Sequence, residues 1–392
     1  MGFMNRLAAC GTAQGLNGRE AAIKATQVAL DALGTLKPVL AIIFVSEEFD
    51  TTEVLSGLSG LLGDTPLWGI STVRPLSGDT EKLRSVVVVL LGGADLKADV
   101  HWSPGFAEDS PETARQLVRA LKQELILPQA ILIAADGVSG RLASICSALA
   151  DGAIPVSGCM ASGSYSSGKT YLLGKNQSGS GALAAAFLSG RFRIGSGSGH
   201  GWQDTGLHYT VTRARDVWVQ TMDGLPVAEI YARIFGRPAR EWAFPPLNDL
   251  VRLYPLGIEP SLPGDELILR SPLRMEIDGG LRMSAPVSEG VVVHLMLGDP
   301  DSCLQAAQRA AQQAIKDLGA ARPLIALAYV DIAWQYLFEN RPNQVAQTLQ
   351  AALGTIPLAG AYTLGQVIRT SPNAIPTVYN QGLTVQIIGC ME

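Results

Sequence analysis

A phosphate-binding pattern is the sharpest chemical signal in the sequence. Residues 163–170, GSYSSGKT, have the GxxxxGK[ST] spacing of a P-loop, in which backbone N–H groups and a lysine hold a nucleotide phosphate. That cradle needs a strand before the glycines and a helix after the Lys-Thr pair, because the helix N-terminus supplies N–H groups and a dipole. Residues 171–179 predict a strand and a turn instead. A Gly/Ser loop is therefore favoured, and the Walker A-like match is interpreted as a false positive.

The glycine-rich segment 195–202 contains His200, a candidate ligand-binding residue. Its glycines lack the GxGxxG spacing of a dinucleotide site, so that function is rejected. Two interpretations stay open. The glycines let the backbone approach a ligand, with Trp202 offering a stacking face, or His200 lies in an exposed turn.

Side chains at the ends of predicted strands are the next candidates. Cys159 occupies a position typical of a nucleophile, but a buried small hydrophobe is favoured because similar segments of the chain have Ile70 and Ala361 there. Asp136 and Asp331 each follow an apolar run, where a carboxylate either binds a ligand amine or caps the next helix. Capping is the favoured interpretation.

No metal site is predicted. His101, His208 and His294 have neither an i, i+4 partner nor a motif such as HExxH. The five cysteines are odd in number and contain no CxxC, so neither a zinc site nor a disulfide framework is expected. The cysteine content fits a reducing cytoplasm, and no cofactor is implied.

An internal pattern predicts the elements that position these residues. Three apolar runs indicate buried strands; each follows an amphipathic helix and precedes a proline signature and a further β-rich run. The runs span residues 39–46, 130–136 and 324–331. The sequence thus predicts an α/β fold with mixed parallel and antiparallel sheets, built from about three divergent β-α-β-α-β-β units. The units span about residues 5–92, 100–190 and 291–389. Residues 207–290 differ in composition, so two lobes are expected.

Composition narrows the function. The 392 residues are 47% hydrophobic and 17% charged with a net charge of −5, which excludes a disordered chain and makes nucleic acid an unlikely partner. The N-terminus lacks a continuous apolar segment typical of a signal peptide. The charge-free runs 342–368 and 370–391 contain Pro, Asn, Gln and Gly, so no transmembrane segment is predicted. Their lack of charge indicates either core strands or a surface that contacts another subunit.

Several ordered motifs resemble the FIST family. The order of these motifs resembles a FIST N domain followed by a FIST C domain, and the residues that carry this resemblance are 131–136, 154–163, 199–202 and 222–231. The closing motif of FIST C is similar to residues 356–366 and 379–382. The resemblance implies a FIST N-like domain at residues 1–206 and a FIST C-like domain at 207–392. It also implies a bacterial sensory protein of signal transduction that binds small ligands, with amino acids as one candidate class, and it implies no enzyme activity.

The chain departs from the family pattern at three positions. Where FIST C usually has a Cys and then an Arg after its buried strand, this chain has Asp331 and Trp334, and the usual Glu of the last motif is Gln366. Losing an Arg and a Glu removes charge partners for a zwitterion, so a more neutral or cationic ligand is expected, or a copy retained for protein contacts. The ligand-binding residues expected are Cys159, Ser162, His200, Trp202, Asp331, Trp334, Tyr362, Thr363, Gln366 and Asn380.

The expected function is a small-ligand-binding sensory protein. The 392 residues contain no recognisable output segment, so the signal is expected to pass by association with a signalling or assembly protein. The alternative is a non-catalytic interaction or assembly subunit that has lost ligand binding, and an enzyme of cysteine or nucleotide type is a third candidate. A homo-oligomer is left open.

Overall fold

Three units with one order of elements make up most of the fold. A computed structural model describes residues 7–93, 95–124, 128–137, 141–164, 168–260, 266–369 and 374–391. Unit 1 consists of β1 (Ala8–Gln14), α1 (Gly18–Leu33), β2 (Pro38–Ser46), α2 (Thr51–Leu62), β3 (Leu67–Thr72), β4 (Pro75–Ser77), β5 (Thr80–Glu81) and β6 (Ser85–Gly92). Unit 2 consists of β7 (Leu96–Ser103), α3 (Ser110–Gln123), β8 (Ala130–Ala135), α4 (Leu142–Ala148), β9 (Val156–Met160), β10 (Leu172–Lys175), β11 (Gln177–Gly179) and β12 (Leu183–Gly190).

The third unit is interrupted. It starts with β13 (Phe192–His200) and resumes about a hundred residues later. The interruption, called here the β-rich region, contains β14 (Trp202–Arg215), β15 (Trp218–Met222), β16 (Leu225–Pro226), α5 (Val227–Phe235), α6 (Leu247–Leu250), β17 (Leu256–Ile258), β18 (Ile268–Arg270), β19 (Pro272–Met275), β20 (Leu281–Met283) and β21 (Val292–Gly298). Unit 3 then continues with α7 (Pro300–Leu318), β22 (Arg322–Asp331), α8 (Ala333–Leu337), α9 (Gln344–Leu353), β23 (Leu358–Thr363), β24 (Gln366–Ile368), β25 (Thr377–Tyr379) and β26 (Gly382–Cys390).

The same pairing recurs in each unit. The first strand pairs antiparallel with the last, the last pairs antiparallel with the second, and the second pairs parallel with the third. In the described ranges this gives three six-stranded sheets, and the β-rich region forms a fourth sheet of eight strands. The predicted α/β class with mixed parallel and antiparallel sheets is confirmed. No helix within those ranges has the length and apolar character needed to cross a membrane.

A hairpin of each unit pairs with a strand of another unit. The β4–β5 hairpin of unit 1 pairs with β23 of unit 3, the β24–β25 hairpin of unit 3 pairs with β9 of unit 2, and the β10–β11 hairpin of unit 2 pairs with β3 of unit 1. The exchange is therefore cyclic. It brings the carboxyl ends of the parallel strands of all three units toward one region of the molecule.

The apolar runs are buried on both faces. One core joins the inner faces of the three sheets and contains Phe44, Leu132 and Tyr329, one from each unit. Separate cores lie between each sheet and its own helices. This two-sided burial explains why these strands are apolar at every position instead of alternating. It also places β22, β23 and β26 in the interior, which accounts for the lack of charge in the runs 342–368 and 370–391.

The start of unit 3 corrects the expectation from sequence. The third unit was expected to begin near residue 291, but β21 belongs to the fourth sheet, and β13 takes the position that β1 and β7 have in their units. The glycines of β13 allow this because α7 packs directly on the strand. A Cβ at Gly197 would lie 2.0 Å from the carbonyl oxygen of Ala310, and one at Gly195 would lie 2.2 Å from that of Ala314. The glycine-rich segment is therefore largely strand, not an exposed turn.

Candidate functional site

Three cavities meet at the carboxyl ends of the parallel strands. Their volumes are about 490, 530 and 630 Å³, and each is lined by residues of the loop 163–171 that precedes β10. Ligands of α/β proteins bind in such crevices because the loops that follow the strands converge there. Residues 165–167 of the GxxxxGK[ST] match lie outside the described residues. The chain after Thr170 forms strand β10, so no helix N-terminus follows the match.

The cavity of about 490 Å³, called here the arginine cavity, lies between unit 2 and the β-rich region. Unit 2 contributes the strand end at Met160 and the loop residues Ser164 and Thr170, and unit 3 contributes Leu364. Three guanidinium groups come from the β-rich region, and the described residues that line the cavity include no carboxylate. The full lining is Gly137, Met160, Gly163, Ser164, Gly168, Thr170, Val217, Arg252, Leu273, Arg274, Arg282, Met283, Ser284 and Leu364.

The guanidinium groups are held in place by local partners. Arg274 and Arg282 both donate to Oε1 of Glu276, with Nε–Oε1 distances of 3.1 and 2.8 Å. Burial alone would raise the pKa of Glu276, but these hydrogen bonds lower it below its ordinary value. Arg252 donates through Nε to the carbonyl of Leu273 at 3.0 Å. Because two arginines share one carboxylate, this wall of the cavity keeps a positive charge.

The cavity of about 630 Å³, called here the acidic cavity, adjoins the arginine cavity. Gly168 and Thr170 line both cavities. Its carboxylates include Glu47, which follows β2, and Asp136, which follows β8. Asp136 accepts hydrogen bonds from the backbone N–H of Gly181 at 2.6 Å and from Oγ1 of Thr170 at 3.4 Å. The two adjoining cavities therefore differ in sign, with arginines in one and carboxylates in the other.

Comparison with known proteins gives the family. A model of the FIST N domain matches residues 39–225, and a model of the FIST C domain matches residues 228–369. The chain belongs to the FIST family. FIST domains are sensory domains that link ligand binding to signalling. The predicted domain boundary between residues 206 and 207 falls inside β14 and stays a prediction.

The other comparisons add little. A search of curated proteins finds no match. Among solved structures, the crystal structure of a chorismatase at 1.08 Å resolution is similar over 98% of this chain and 99% of that chain, with 12% sequence identity and a TM-score of 0.38.

Four of the ten predicted ligand-binding residues of this FIST protein converge on one backbone segment. The carboxylate of Asp331 accepts the N–H of Gln381 at 2.7 Å and that of Ala333 at 3.0 Å. The indole N–H groups of Trp202 and Trp334 both donate to the carbonyl oxygen of Gln381. Asn380, the fourth, directly precedes this residue. Burial raises the pKa of Asp331 to about 6, although its two backbone hydrogen bonds lower it.

Four others lie on β23 and the exchanged strand β24 or beside them. Gln366 donates to Oγ1 of Thr363 at 2.7 Å, and Ser162 donates to the carbonyl of Tyr362 at 2.6 Å. Burial raises the pKa of the Tyr362 hydroxyl, which is hydrogen-bonded to the Glu81 carboxylate. All four side chains are buried.

Cys159 and His200 lie apart from each other, each beside one of these groups. Cys159 pairs with Gln366 between β9 and β24, and Nδ1 of His200 accepts the N–H of Trp202 at 3.2 Å. Cys159 is in the core shared by the three sheets, and burial raises the pKa of its thiol well above the ordinary value. His200 ends β13, where Nε2 lies 3.8 Å from Oε2 of Glu266 and burial lowers the pKa of the imidazole.

The ten residues lie outside the lining of the three cavities. None of them is among the residues that line the three cavities. Asn380 contacts a lining residue directly, since its Oδ1 accepts a hydrogen bond at 2.7 Å from Ser284 of the arginine cavity. Their roles in ligand binding stay predictions. Sequence reasoning missed Arg252, Arg274 and Arg282. The available signal was the pair Arg274 and Arg282 on either side of the Asp-Gly-Gly turn at residues 278–280.

Proposed function

We propose that this FIST protein is a small-ligand-binding sensor whose ligand occupies the arginine cavity. The observation that carries the proposal is the convergence of three guanidinium groups on a cavity of about 490 Å³ at the carboxyl ends of the unit 2 strands. A volume of roughly 300–1,000 Å³ suits a small molecule. Membership of the FIST family supports a sensory role, and the cavity is the proposed location of the ligand.

The ligand carries a carboxylate. Arginine recognises carboxylates through paired N–H donors, and the part of the cavity lining that the structure describes offers guanidinium groups without a carboxylate among them. Met160, Met283 and Leu364 provide an apolar surface for the rest of the molecule. This differs from the neutral or cationic ligand expected from sequence. That expectation depended on Asp331, Trp334 and Gln366, whose side chains are buried outside the cavity lining.

An amino-acid-like ligand fits better than a simple acid. A molecule that places its carboxylate against Arg274 and Arg282 can extend past Gly168 and Thr170 toward the acidic cavity. An ammonium group there would meet the carboxylates of Glu47 and Asp136. Opposite charges at the two ends of the ligand would thus match opposite charges in the two cavities.

The signal passes by protein association and involves no catalysis by this chain. A ligand in the arginine cavity touches both unit 2 and the β-rich region, so it stabilises the arrangement of these parts that binds it. A partner that recognises this arrangement would read the signal. The absence of catalysis is supported by Cys159, the sequence candidate for a nucleophile, whose thiol is buried in an apolar core with a raised pKa.

Thermal-shift screening followed by calorimetric titration tests the proposal. Amino acids, small organic acids and nucleotides are compared, and an amino acid or other carboxylate is expected to raise the melting temperature by mass action. Arg274→Ala and Arg282→Ala should each weaken binding about tenfold or more, since a charge-assisted hydrogen bond contributes about 1.5–3 kcal/mol. Arg309→Ala on α7, outside the lining of the cavities, is the matched control.

Two results would overturn the proposal. One is a screen in which no carboxylate shifts the melting temperature. The other is a carboxylate whose affinity is the same in wild type and in both arginine variants, which would place the ligand elsewhere. Arg274 is 63% exposed in its side chain, so Arg274→Ala should fold even if Arg282→Ala does not.

A further inference from the structure

The β-rich region brings two histidines and an aspartate together away from the lining of the cavities. Nδ1 of His294 lies 2.8 Å from Oδ2 of Asp204, and Nε2 of His208 lies 3.0 Å from the same oxygen. The two imidazole rings are 4.1 Å apart between centroids. One ligand atom from each of the three residues can be chosen so that all lie within 4.8 Å of one another.

A bulge in β14 is what brings Asp204 next to His208. Residues four apart on a straight strand are separated by about 13 Å, too far to share an ion. Here Asp204 pairs with Met296 and His208 with His294, so four steps along β14 match two steps along β21. Gly206, with φ of +79°, donates its N–H to Oδ1 of Asp204 at 2.8 Å and helps to form the bulge. Bulges often redirect side chains at functional sites.

A second carboxylate holds the far side of His294. Oε1 of Glu259 lies 3.3 Å from Nε2 of His294, the ring nitrogen that faces away from Asp204. A histidine that ligates a metal typically donates its other ring N–H to a carboxylate, which fixes the tautomer and the ring orientation. This outer carboxylate is a second observation, independent of the three-residue cluster, that points to a metal ligand at Nδ1 of His294.

We propose that Asp204, His208 and His294 bind a divalent transition-metal ion of the zinc class, with Glu259 as the outer carboxylate. Two imidazoles and one carboxylate form a donor set that suits Zn²⁺, Co²⁺ and Ni²⁺ better than Mg²⁺ or Ca²⁺. Tetrahedral Zn²⁺ at about 2.0–2.1 Å from each ligand needs ligand atoms roughly 3.3 Å apart. Oδ2 of Asp204 lies 2.8 and 3.0 Å from the two ring nitrogens, slightly closer than this, and all three ligand atoms lie within 4.8 Å of one another. Binding therefore needs a small rearrangement of Asp204 and His208, which lie at the surface.

The ion would hold β14 against β21 and keep a coordination position open. Three protein ligands leave a fourth position for water or for a group on another molecule. This inference does not depend on the ligand of the arginine cavity. It replaces the sequence expectation of no metal site, which overlooked that Asp204 stands four residues before His208.

Direct metal titration of the full chain tests the site. Protein treated with chelator and then dialysed is titrated with ZnCl₂ in a calorimeter, and CoCl₂ is added separately to record the visible absorption of tetrahedral Co²⁺. Wild type is expected to bind one equivalent of each ion at this site. His208→Ala should weaken Zn²⁺ binding about 100-fold, and Glu259→Ala about tenfold, the range found when outer partners are removed. His101→Ala on β7 is the matched histidine control and should bind like wild type.

The outcomes separate the proposal from a hydrogen-bonded cluster without metal. A Zn²⁺ affinity no tighter than millimolar, or an affinity that His208→Ala leaves unchanged, would overturn it. Asp204→Asn provides a second variant if His208→Ala does not fold, and it should also lose the Co²⁺ absorption. In wild type alone, Zn²⁺ should raise the melting temperature, because an ion that binds only the native state stabilises it.

Discussion

The carboxylate of Asp331 accepts the backbone N–H of Gln381 over 2.7 Å, just before the chain enters the last strand of unit 3. Asp136 does the same for Gly181 at 2.6 Å before the last strand of unit 2. In unit 1 the hydroxyl of Ser46 accepts the N–H of the first residue of β6 at 2.9 Å. A polar acceptor at the end of the second strand of each unit therefore binds the backbone at the start of its last strand. At Asp331 this structural role accounts for the buried carboxylate.

The raised pKa of Asp331 predicts a contribution to stability that falls as pH rises. Burial raises the pKa to about 6, from 3.8 in the unfolded chain. The folded protein therefore holds the proton more tightly, and ionisation of this group destabilises it between about pH 4 and pH 6. The difference corresponds to about 3 kcal/mol. Urea unfolding of wild type and Asp331→Asn should show wild type losing about this much relative to the variant across that window.

In the difference between wild type and Asp331→Asn, the pH dependence that comes from the other titrating groups cancels, because both proteins share those groups. A difference in the free energy of unfolding that stays constant from pH 4 to pH 6.5 would contradict a proton held by Asp331.

The glycines of β13 predict an unequal response to the same substitution. A Cβ at Gly197 would meet the carbonyl oxygen of Ala310 at 2.0 Å, so Gly197→Ala must push α7 away from the strand. At Gly199 the nearest atom would be 3.5 Å away, an ordinary contact. Gly197→Ala should therefore lower the free energy of unfolding by about 3 kcal/mol, and Gly199→Ala by less than about 1 kcal/mol. Denaturant unfolding of both variants measures this, and equal effects would show that α7 does not pack as closely as described.

The two tryptophans that share one acceptor predict a coupled effect. Trp202 and Trp334 both donate to the carbonyl oxygen of Gln381. Trp202→Phe or Trp334→Phe alone leaves that oxygen with one indole donor, whereas the double variant removes both. Since an unpaired buried acceptor costs about 1–3 kcal/mol, the double variant should lose at least about 1 kcal/mol more stability than the sum of the single variants. A double-mutant cycle of unfolding free energies measures the coupling, and simple additivity would contradict a shared acceptor.

The units could be predicted from sequence because each carries local signals. The run that became β22 is apolar along its length, and the alanine-rich α7 before it has helical periodicity. The cyclic exchange of hairpins could not be predicted, since β24 pairs with β9 across some two hundred residues and no local pattern encodes such a pairing. The same holds for β13, whose unit resumes only after the β-rich region.

The candidate sites were harder to predict for the same reason. Arg252 and Thr170 line one cavity although Arg252 comes from the β-rich region and Thr170 from unit 2. Asp331 ends an apolar strand, as predicted. Its carboxylate is oriented by a hydrogen bond from the backbone N–H of Gln381, which is distant in sequence. Asp204 and His208 have a spacing that is informative on a helix. On a strand they meet only because of a bulge, which sequence periodicity does not reveal.

The burial of Cys159 predicts low reactivity, which bears on the enzyme alternative. Its side chain has no exposed surface, and burial raises the pKa of the thiol, so little reactive thiolate is available in the folded state. Iodoacetamide at pH 8, followed by peptide mass spectrometry, should modify the half-buried Cys390 first. Modification of Cys159 should wait for unfolding in urea, because it requires opening of the core between the three sheets. Cys390→Ala confirms the assignment of the fast site. If Cys159 reacted faster than Cys390 in the native protein, it would have the properties of an activated nucleophile, and a cysteine-dependent activity would become the better interpretation.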